Sequence, residues 1–379
     1  MNGSFQIVRL FGIPVRIHWT FSLIFLWVLY VGQSSLGHFN WQIIAWTTAS
    51  ILALFVCVIL HELGHALTAR RFGVHTRNIL LLPIGGLAVL DRLPEKPFHE
   101  FLVALAGPAV NVGLAIGFSP LLFIIPFDRR ERMFSYIMQE PNVFVRDITY
   151  FDGFLFGLVV LNLLVALFNL LPAFPMDGGR ILRSLLSMRM DRVKATRFAS
   201  YLGQFLAALL IVVGLYNSNY VSAIIGAFIF FTASNEYRSI RNEGLLKQFK
   251  VRDVFRPAFT KLYLGDPLML AVDQLHRGME KHFLIFDEWQ NLAGILPESR
   301  IIQAMKKGAS REQLVSEVMK QEFVTLRPEE GLHEVLGTMH RNDMDILPVY
   351  DRGKLLGVVD IDGVEHLLQL QQRVKGRGQ

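Results

Sequence analysis

A single cysteine, Cys57, occurs in a chain of 379 residues, which excludes an intramolecular disulfide and fits a thiol buried in a helix. Charge is scarce too. Asp, Glu, Lys and Arg make up only 18% against 52% hydrophobic residues, including 30 phenylalanines. The apolar residues fall in blocks too long for a soluble domain, so a soluble globular protein is excluded and a polytopic α-helical membrane protein is expected. No small-residue cleavage pattern follows the first apolar run, so no cleavable leader is expected. The net charge of +6 sits beside the apolar runs, which points to topology and lipid headgroups rather than to nucleic acid.

The most informative stretch runs from Ile51 to Arg71 and contains HELGH at 61–65. On an α-helix, positions i and i+4 share a face, so His61 and His65 can turn imidazole nitrogens towards one metal ion. Glu62 lies about 100° round the helix from His61, the general-base position of H-E-x-x-H hydrolases. Alternatively, the three are interfacial polar residues near a helix end. Ionisable groups inside an apolar span are costly, which favours the functional reading. Cys57 precedes His61 by one turn on the same face; small-residue packing accounts for it more simply than a ligand role.

A second constellation is NLLPAFPMDGGR at 169–180. Pro172 and Pro175 stop a helix, Gly178 and Gly179 allow unusual backbone, and Asp177 is expected in a short non-helical segment between them. A catalytic zinc normally has three protein ligands and an open position, so Asp177 is the candidate third ligand. Alternatively it caps a helix beginning at Gly178. Upstream, NILLLPIGGLAVL reads as a hairpin of two β-prone runs, Ile79–Leu82 and Leu87–Leu90, around Pro83, Gly85 and Gly86. It is too short to cross, and at membrane depth its backbone groups would need protein or water partners, as in a re-entrant element lining a cavity; alternatively it is an ordinary interfacial loop.

Six spans are expected, near 17–31, 41–69, 98–125, 151–171, 198–216 and 220–233. Gly107 and Ala109 permit close helix approach in the third. Asn111 there is a candidate for an interhelical hydrogen bond or a catalytic role. Residues 126–150 form a mixed-charge loop. Lys and Arg cluster at 70–96, at 180–197 and after Arg238, whereas the loops at 32–40 and 217–219 have none, which places both termini in the cytoplasm. Arg129, Arg130, Arg132 and Arg146 are discordant. With an even number of spans between them, the two motifs fall on one side of the membrane. His61 and His65 sit roughly 8–14 Å from the end of the second span at about 1.5 Å per residue.

From Lys250 the chain is soluble in character and repeats. VRDVF at Val251 matches VSEVM at Val315, and LIFDEWQNLAGIL at Leu284 matches LPVYDRGKLLGVV at Leu347, one residue short of the same offset. Each half reads as strand, helix (Pro267–Lys281 or Glu329–Asn342), strand, turn, strand and closing helix. This order resembles a pair of CBS motifs forming one Bateman module, at about 250–308 and 314–370 within a domain of 250–370. Such modules often bind adenine nucleotides. The usual Ser/Thr and Asp after the last strand are replaced by Pro297 and Arg300, and by Asp360 and Gly363, so a structural or dimerising role competes with nucleotide binding. The tail from Gln369 is expected to fray.

With HELGH and NLLPAFPMDGGR in one polytopic chain, the sequence resembles the site-2 protease family of intramembrane zinc metalloproteases, in its branch with C-terminal CBS motifs. The resemblance implies a protease domain over 1–240, a Zn2+ held by His61, His65 and Asp177, Glu62 as the group that activates water, Asn169 positioning the scissile region, and Gly85 and Gly86 in a substrate-facing loop. It implies a substrate that is a transmembrane segment of another protein, such as a membrane-tethered regulator or a signal-peptide remnant, and a multi-pass plasma-membrane location. A homodimer through the CBS pair is a further expectation. Against this stands a CBS-gated transporter or channel using the His/Asp cluster as an ion pathway, but the halves of 17–233 show no inverted repeat. An inactive scaffold is disfavoured because both motifs are intact.

Overall fold

The structure, a computed structural model, describes residues 3–33, 39–83, 85–91, 94, 96–139, 149–278, 280–310, 312–342 and 344–376. It divides into two compact units, Met1–Arg238 and Ser239–Gln379.

The first unit opens with a hairpin of β1 (Ser4–Leu10) and β2 (Ile13–His18). The expected first span began at Ile17, but that residue belongs to β2. The reason is local: Ile13, Val15 and Ile17 alternate with Pro14, Arg16 and His18, a period of two that suits a half-buried strand. The apolar helix that follows is correspondingly short, α1 (Ser22–Gly32), preceded by a 3-10 turn at Trp19–Phe21. Of the loop expected at 32–40, residues 34–38 lie outside the described residues. Asn40 then caps α2 (Trp41–Arg71), its side chain accepting from the N–H groups of Gln42 and Ile43.

β3 (Thr76–Leu82) and β4 (Gly85–Leu90) form the hairpin that the Pro-Gly-Gly pattern predicts. β2 pairs with β3 in parallel, giving a four-stranded sheet in the order β1-β2-β3-β4 with β4 at one edge. One face of this sheet lies on α2, where Ile13, Val15, Phe21, Ile79 and Leu81 bury against Leu63 and Ala66. That contact sets the sheet beside the turn carrying the histidines.

α3 (Pro97–Phe118) follows and continues through a 3-10 turn to Ile124. The stretch expected as a loop at 126–150 is in part helical, α4 (Phe127–Gln139), and residues 140–148 lie outside the described residues. α5 (Tyr150–Asn169), α6 (Asp177–Ser187), α7 (Arg192–Tyr216) and α8 (Tyr220–Leu246) complete the unit and lead into the next. Among the described residues, four helices are long and apolar enough to cross a bilayer: Trp41–Arg71, Pro97–Ile124, Tyr150–Asn169 and Arg192–Tyr216. The other two of the six expected spans correspond to the shorter Trp19–Gly32 and to the first half of α8.

The second unit contains β5 (Lys261–Tyr263), α9 (Leu268–His276), β6 (Phe283–Phe286), β7 (Leu292–Leu296) and α10 (Glu298–Lys306). It then runs through α11 (Val315–Val318), α12 (Leu332–Asn342), β8 (Ile346–Asp351), β9 (Lys354–Asp360) and α13 (Ile361–Gly376). The tail expected to fray is helical as far as Gly376. The sequence repeat is a structural one. β5 runs parallel to β6, and Leu326 bridges in parallel to Val349 at the same offset. The halves also exchange edges: Lys250 bridges Gly331, and its counterpart Leu314 bridges Pro267. Neither half therefore satisfies its backbone alone, which explains why the motif occurs as a pair.

Candidate metal centre

His61 and His65 project from one face of α2, and Asp177 arrives 112 residues after His65, as the first residue of α6. The two Nε2 atoms lie 3.1 Å apart. Asp177 Oδ2 lies 3.2 Å from His61 Nε2 and 3.1 Å from His65 Nε2. All three residues are buried. The proline and glycine pattern predicts a non-helical segment at Asp177; instead Asp177 opens α6, whose N-cap is Met176 and has no side-chain cap bond. The carboxylate is turned away from its own helix end and onto the imidazoles.

The donor set fits one cation. An ion bound tetrahedrally at about 2.0–2.1 Å holds neighbouring ligand atoms roughly 3.3 Å apart, close to the separations found here. His65 Nδ1 donates to the carbonyl of Val103 at 2.7 Å, and that carbonyl can only accept, so Nε2 keeps its lone pair. His61 Nδ1 is likewise engaged, by Asn111 Oδ1. Lone pairs of two imidazoles and a carboxylate converging in a buried space repel one another unless a cation lies between them.

Backbone makes the room. A Cβ on Gly107 of α3 would stand 2.2 Å from His65 Nε2 and 2.7 Å from His61 Nε2. Close helix approach is thus only part of that glycine's role, because its absent side chain is the space into which the ligand atoms point. Gly178 and Gly179 let α6 start against its own entry loop, where added Cβ atoms would meet Leu171 O at 2.1 Å and the Ala173 carbonyl carbon at 2.6 Å.

Beside the triad lies a cavity of about 950 Å³. His61, His65, Asp177 and Glu62 reach it, together with Asn169 at the end of α5 and Gly85, Gly86 and Ala88 of β4. Leu161, Leu164 and Phe168 of α5 and Phe55 and Val58 of α2 supply apolar walls. Glu62 Oε2 accepts from the backbone N–H of Ala88 at 2.9 Å, and a Cβ on Gly86 would meet Glu62 Cγ at 2.7 Å. The free edge of β4 and the glutamate are therefore in contact.

The structure thus brings every sequence-predicted site residue to one cavity: His61, Glu62, His65, Asn169 and Asp177 with Gly85 and Gly86. Cys57 stands apart from the triad and accepts a hydrogen bond from Asn162. Sequence reasoning missed Arg180, one turn beyond Asp177 in the cavity wall, and the buried Arg183. The Arg183 guanidinium donates to Glu100 of α3 and Glu236 of α8 and lies over the ring of Phe174, tying the helix of Asp177 to three neighbours. Spacing from Asp177 could have flagged Arg180; nothing in the sequence pairs Arg183 with Glu100.

A profile described as Peptidase family M50 matches residues 49–213, and a CBS domain profile matches 315–368, the second repeat. A zinc metalloprotease of Methanocaldococcus jannaschii is 32% identical over 99% of this chain and 100% of its own length. The chain belongs to peptidase family M50, the site-2 proteases. The stage IV sporulation protein FB of Bacillus subtilis is 25% identical over 77% of this chain and 94% of its own length. The solved site-2 protease from Methanocaldococcus jannaschii is 33% identical and covers 62% of this chain and 95% of its own, with a TM-score of 0.44. As a member of this family the chain is a multi-pass membrane metalloendopeptidase with a C-terminal CBS domain, and the transporter alternative falls away.

Proposed function

We propose that the protein is a zinc-dependent intramembrane endopeptidase that cuts transmembrane segments of membrane-tethered regulators or signal-peptide remnants. The observation that carries this is the meeting of His61, His65 and Asp177 within 3.2 Å beside Glu62 and an apolar cavity. His61, His65 and Asp177 hold the ion. Zinc in such a site makes water acidic enough to attack at neutral pH and polarises a carbonyl. Glu62 takes the proton of the attacking water and passes it to the leaving amine. Asn169, facing the same cavity, positions the scissile region.

A helical substrate hides its carbonyls in internal hydrogen bonds, so it must unwind before one can be attacked. The unwound strand then needs partners for its freed backbone groups, and the outer edge of β4 at Gly85 and Gly86 supplies them by strand addition. The enzyme resides in the plasma membrane with both termini cytoplasmic, and the CBS pair regulates it. Asp360, at the position of the usual Ser/Thr, already engages Arg256 and the N–H of Gly363, which speaks against capture of an adenine nucleotide there. The test is co-expression with membrane-tethered candidates, comparing the native enzyme with Glu62→Gln. The variant retains its zinc and yields no fragment; a fragment of the same size and amount from Glu62→Gln would refute the assignment.

A further inference from the structure

Behind the metal centre runs a line of buried polar side chains that the proposed reaction does not use. His61 Nδ1 meets Asn111 Oδ1. Asn111 Nδ2 donates to Asn162 Oδ1 at 2.8 Å, and Asn162 Nδ2 donates to the carbonyl of Leu158 at 2.7 Å and to Cys57 Sγ at 3.3 Å. Asn111 and Asn162 are each only 1% exposed, and Cys57 2%. The line crosses three helices, from α2 through α3 to α5 and back to α2.

Its polarity is set at one end. An amide can face a neighbour with its donor or its acceptor, but the Leu158 carbonyl can only accept, so Asn162 must offer it Nδ2. Asn162 then presents Oδ1 to Asn111, which must answer with its own Nδ2. Asn111 has only Oδ1 left for the histidine, and that oxygen can only accept. His61 is thereby obliged to carry its proton on Nδ1 and to leave Nε2 bare on the side of His65 and Asp177. His65 reaches the same state through a backbone carbonyl directly, whereas His61 depends on two amides that could each be reversed. Burial makes the reversal costly, because it would set donor against donor with no water to intervene.

We infer that Asn162, which lies outside the metal-binding set and reaches it only through Asn111, is a positioning residue that fixes the tautomer and ring orientation of His61 for metal binding. The inference rests on the reading that His61, His65 and Asp177 hold zinc. It assigns Cys57 a minor place, as second acceptor for Asn162, and removes it from the candidate ligands.

The test is zinc affinity of the full-length protein in detergent, measured by competition with a chromogenic chelator. Outer partners of ligating histidines typically contribute 10–100-fold to metal affinity. Asn162→Leu, which keeps the volume and loses the amide, weakens zinc binding about 10-fold or more. Asn162→Asp keeps an oxygen for Asn111 and, protonated, a donor for Leu158, and stays within a few-fold of native. In an Asn111→Ala background, Asn162→Leu adds little, because its route to His61 is already cut. A purely structural role would add the same loss in both backgrounds. The inference is overturned if Asn162→Leu binds zinc like the native protein, if Asn162→Asp loses as much as Asn162→Leu, or if the loss is undiminished without Asn111. Should native protein itself fail to compete for zinc, the metal reading falls first and takes this inference with it.

Discussion

Arg183 offers the sharpest test of how the site is held together. Its side chain is fully buried, and those of Glu100 and Glu236 are 5% and 28% exposed. Nε donates to Glu100 Oε1 at 2.7 Å, Nη2 donates to the same oxygen, and Nη1 donates to Glu236 Oε1 at 2.7 Å. Arg183→Met fills most of the volume but strands the Glu100 carboxylate, whose remaining cation is Arg192 at 3.5 Å. Removing one partner of a buried pair costs about 3–5 kcal/mol, since the other charge stays desolvated. At about 2–4 °C per kcal/mol for a unit of this size, the unfolding midpoint falls by roughly 6–20 °C. The double variant Arg183→Met with Glu100→Leu removes both buried charges and leaves Glu236 partly in contact with solvent, so it recovers most of that loss. Thermal unfolding in detergent reads both. A single variant within about 2 °C of native, or a double variant as unstable as the single, would refute the reasoning. Peptidase activity follows the same order, because Asp177 and Arg183 share α6.

Other outcomes follow from the same geometry. Gly107→Ala places a methyl group where the imidazole nitrogens converge, and zinc binding drops at least about 100-fold on chelator competition; native-like affinity would contradict the proposed ligand set. Gly86→Val displaces Glu62 and crowds the β4 edge, slowing cleavage, whereas a helix-breaking Gly or Pro in the substrate speeds it; equal rates in both comparisons would count against strand addition. In the second unit, burial holds the pKa of His282 below its ordinary value, partly offset by Asp345, Asp360, Asp362 and Glu298. The unfolded chain therefore takes up that proton first, and stability conferred by neutral His282 is lost as pH falls below about 6.5. Hydrogen-exchange protection at Phe283–Phe286, taken relative to the intrinsic exchange rate at each pH, falls on acidification of the full-length protein, and His282→Gln flattens that response.

Local chemistry made much of the protein legible in its sequence. The i, i+4 histidines, the proline and glycine punctuation around Asp177, the Pro-Gly-Gly hairpin and the repeat in the tail are short-range patterns, and short-range patterns fix helices, turns and candidate ligands. They failed where two periods overlapped. Ile17 extended an apolar run but belonged to the alternation of Ile13–His18, and pairing with β3 settled the matter. The mixed-charge stretch at Phe127–Gln139 likewise became a helix.

What lies beyond any local pattern is the meeting of parts. HELGH alone supplies two candidate ligands, and the convergence with Asp177 depends on α3 passing close enough for Gly107 to leave room, and on Arg183 anchoring α6 to Glu100. The tautomer of His61 depends on asparagines contributed by α3 and α5. Sequence determined which groups could bind a metal, because that is a property of residue types and their spacing on one helix. Tertiary structure decided that they do converge, because distance and hydrogen-bond polarity across helices are set only when apolar faces pack and every buried polar group must find a partner.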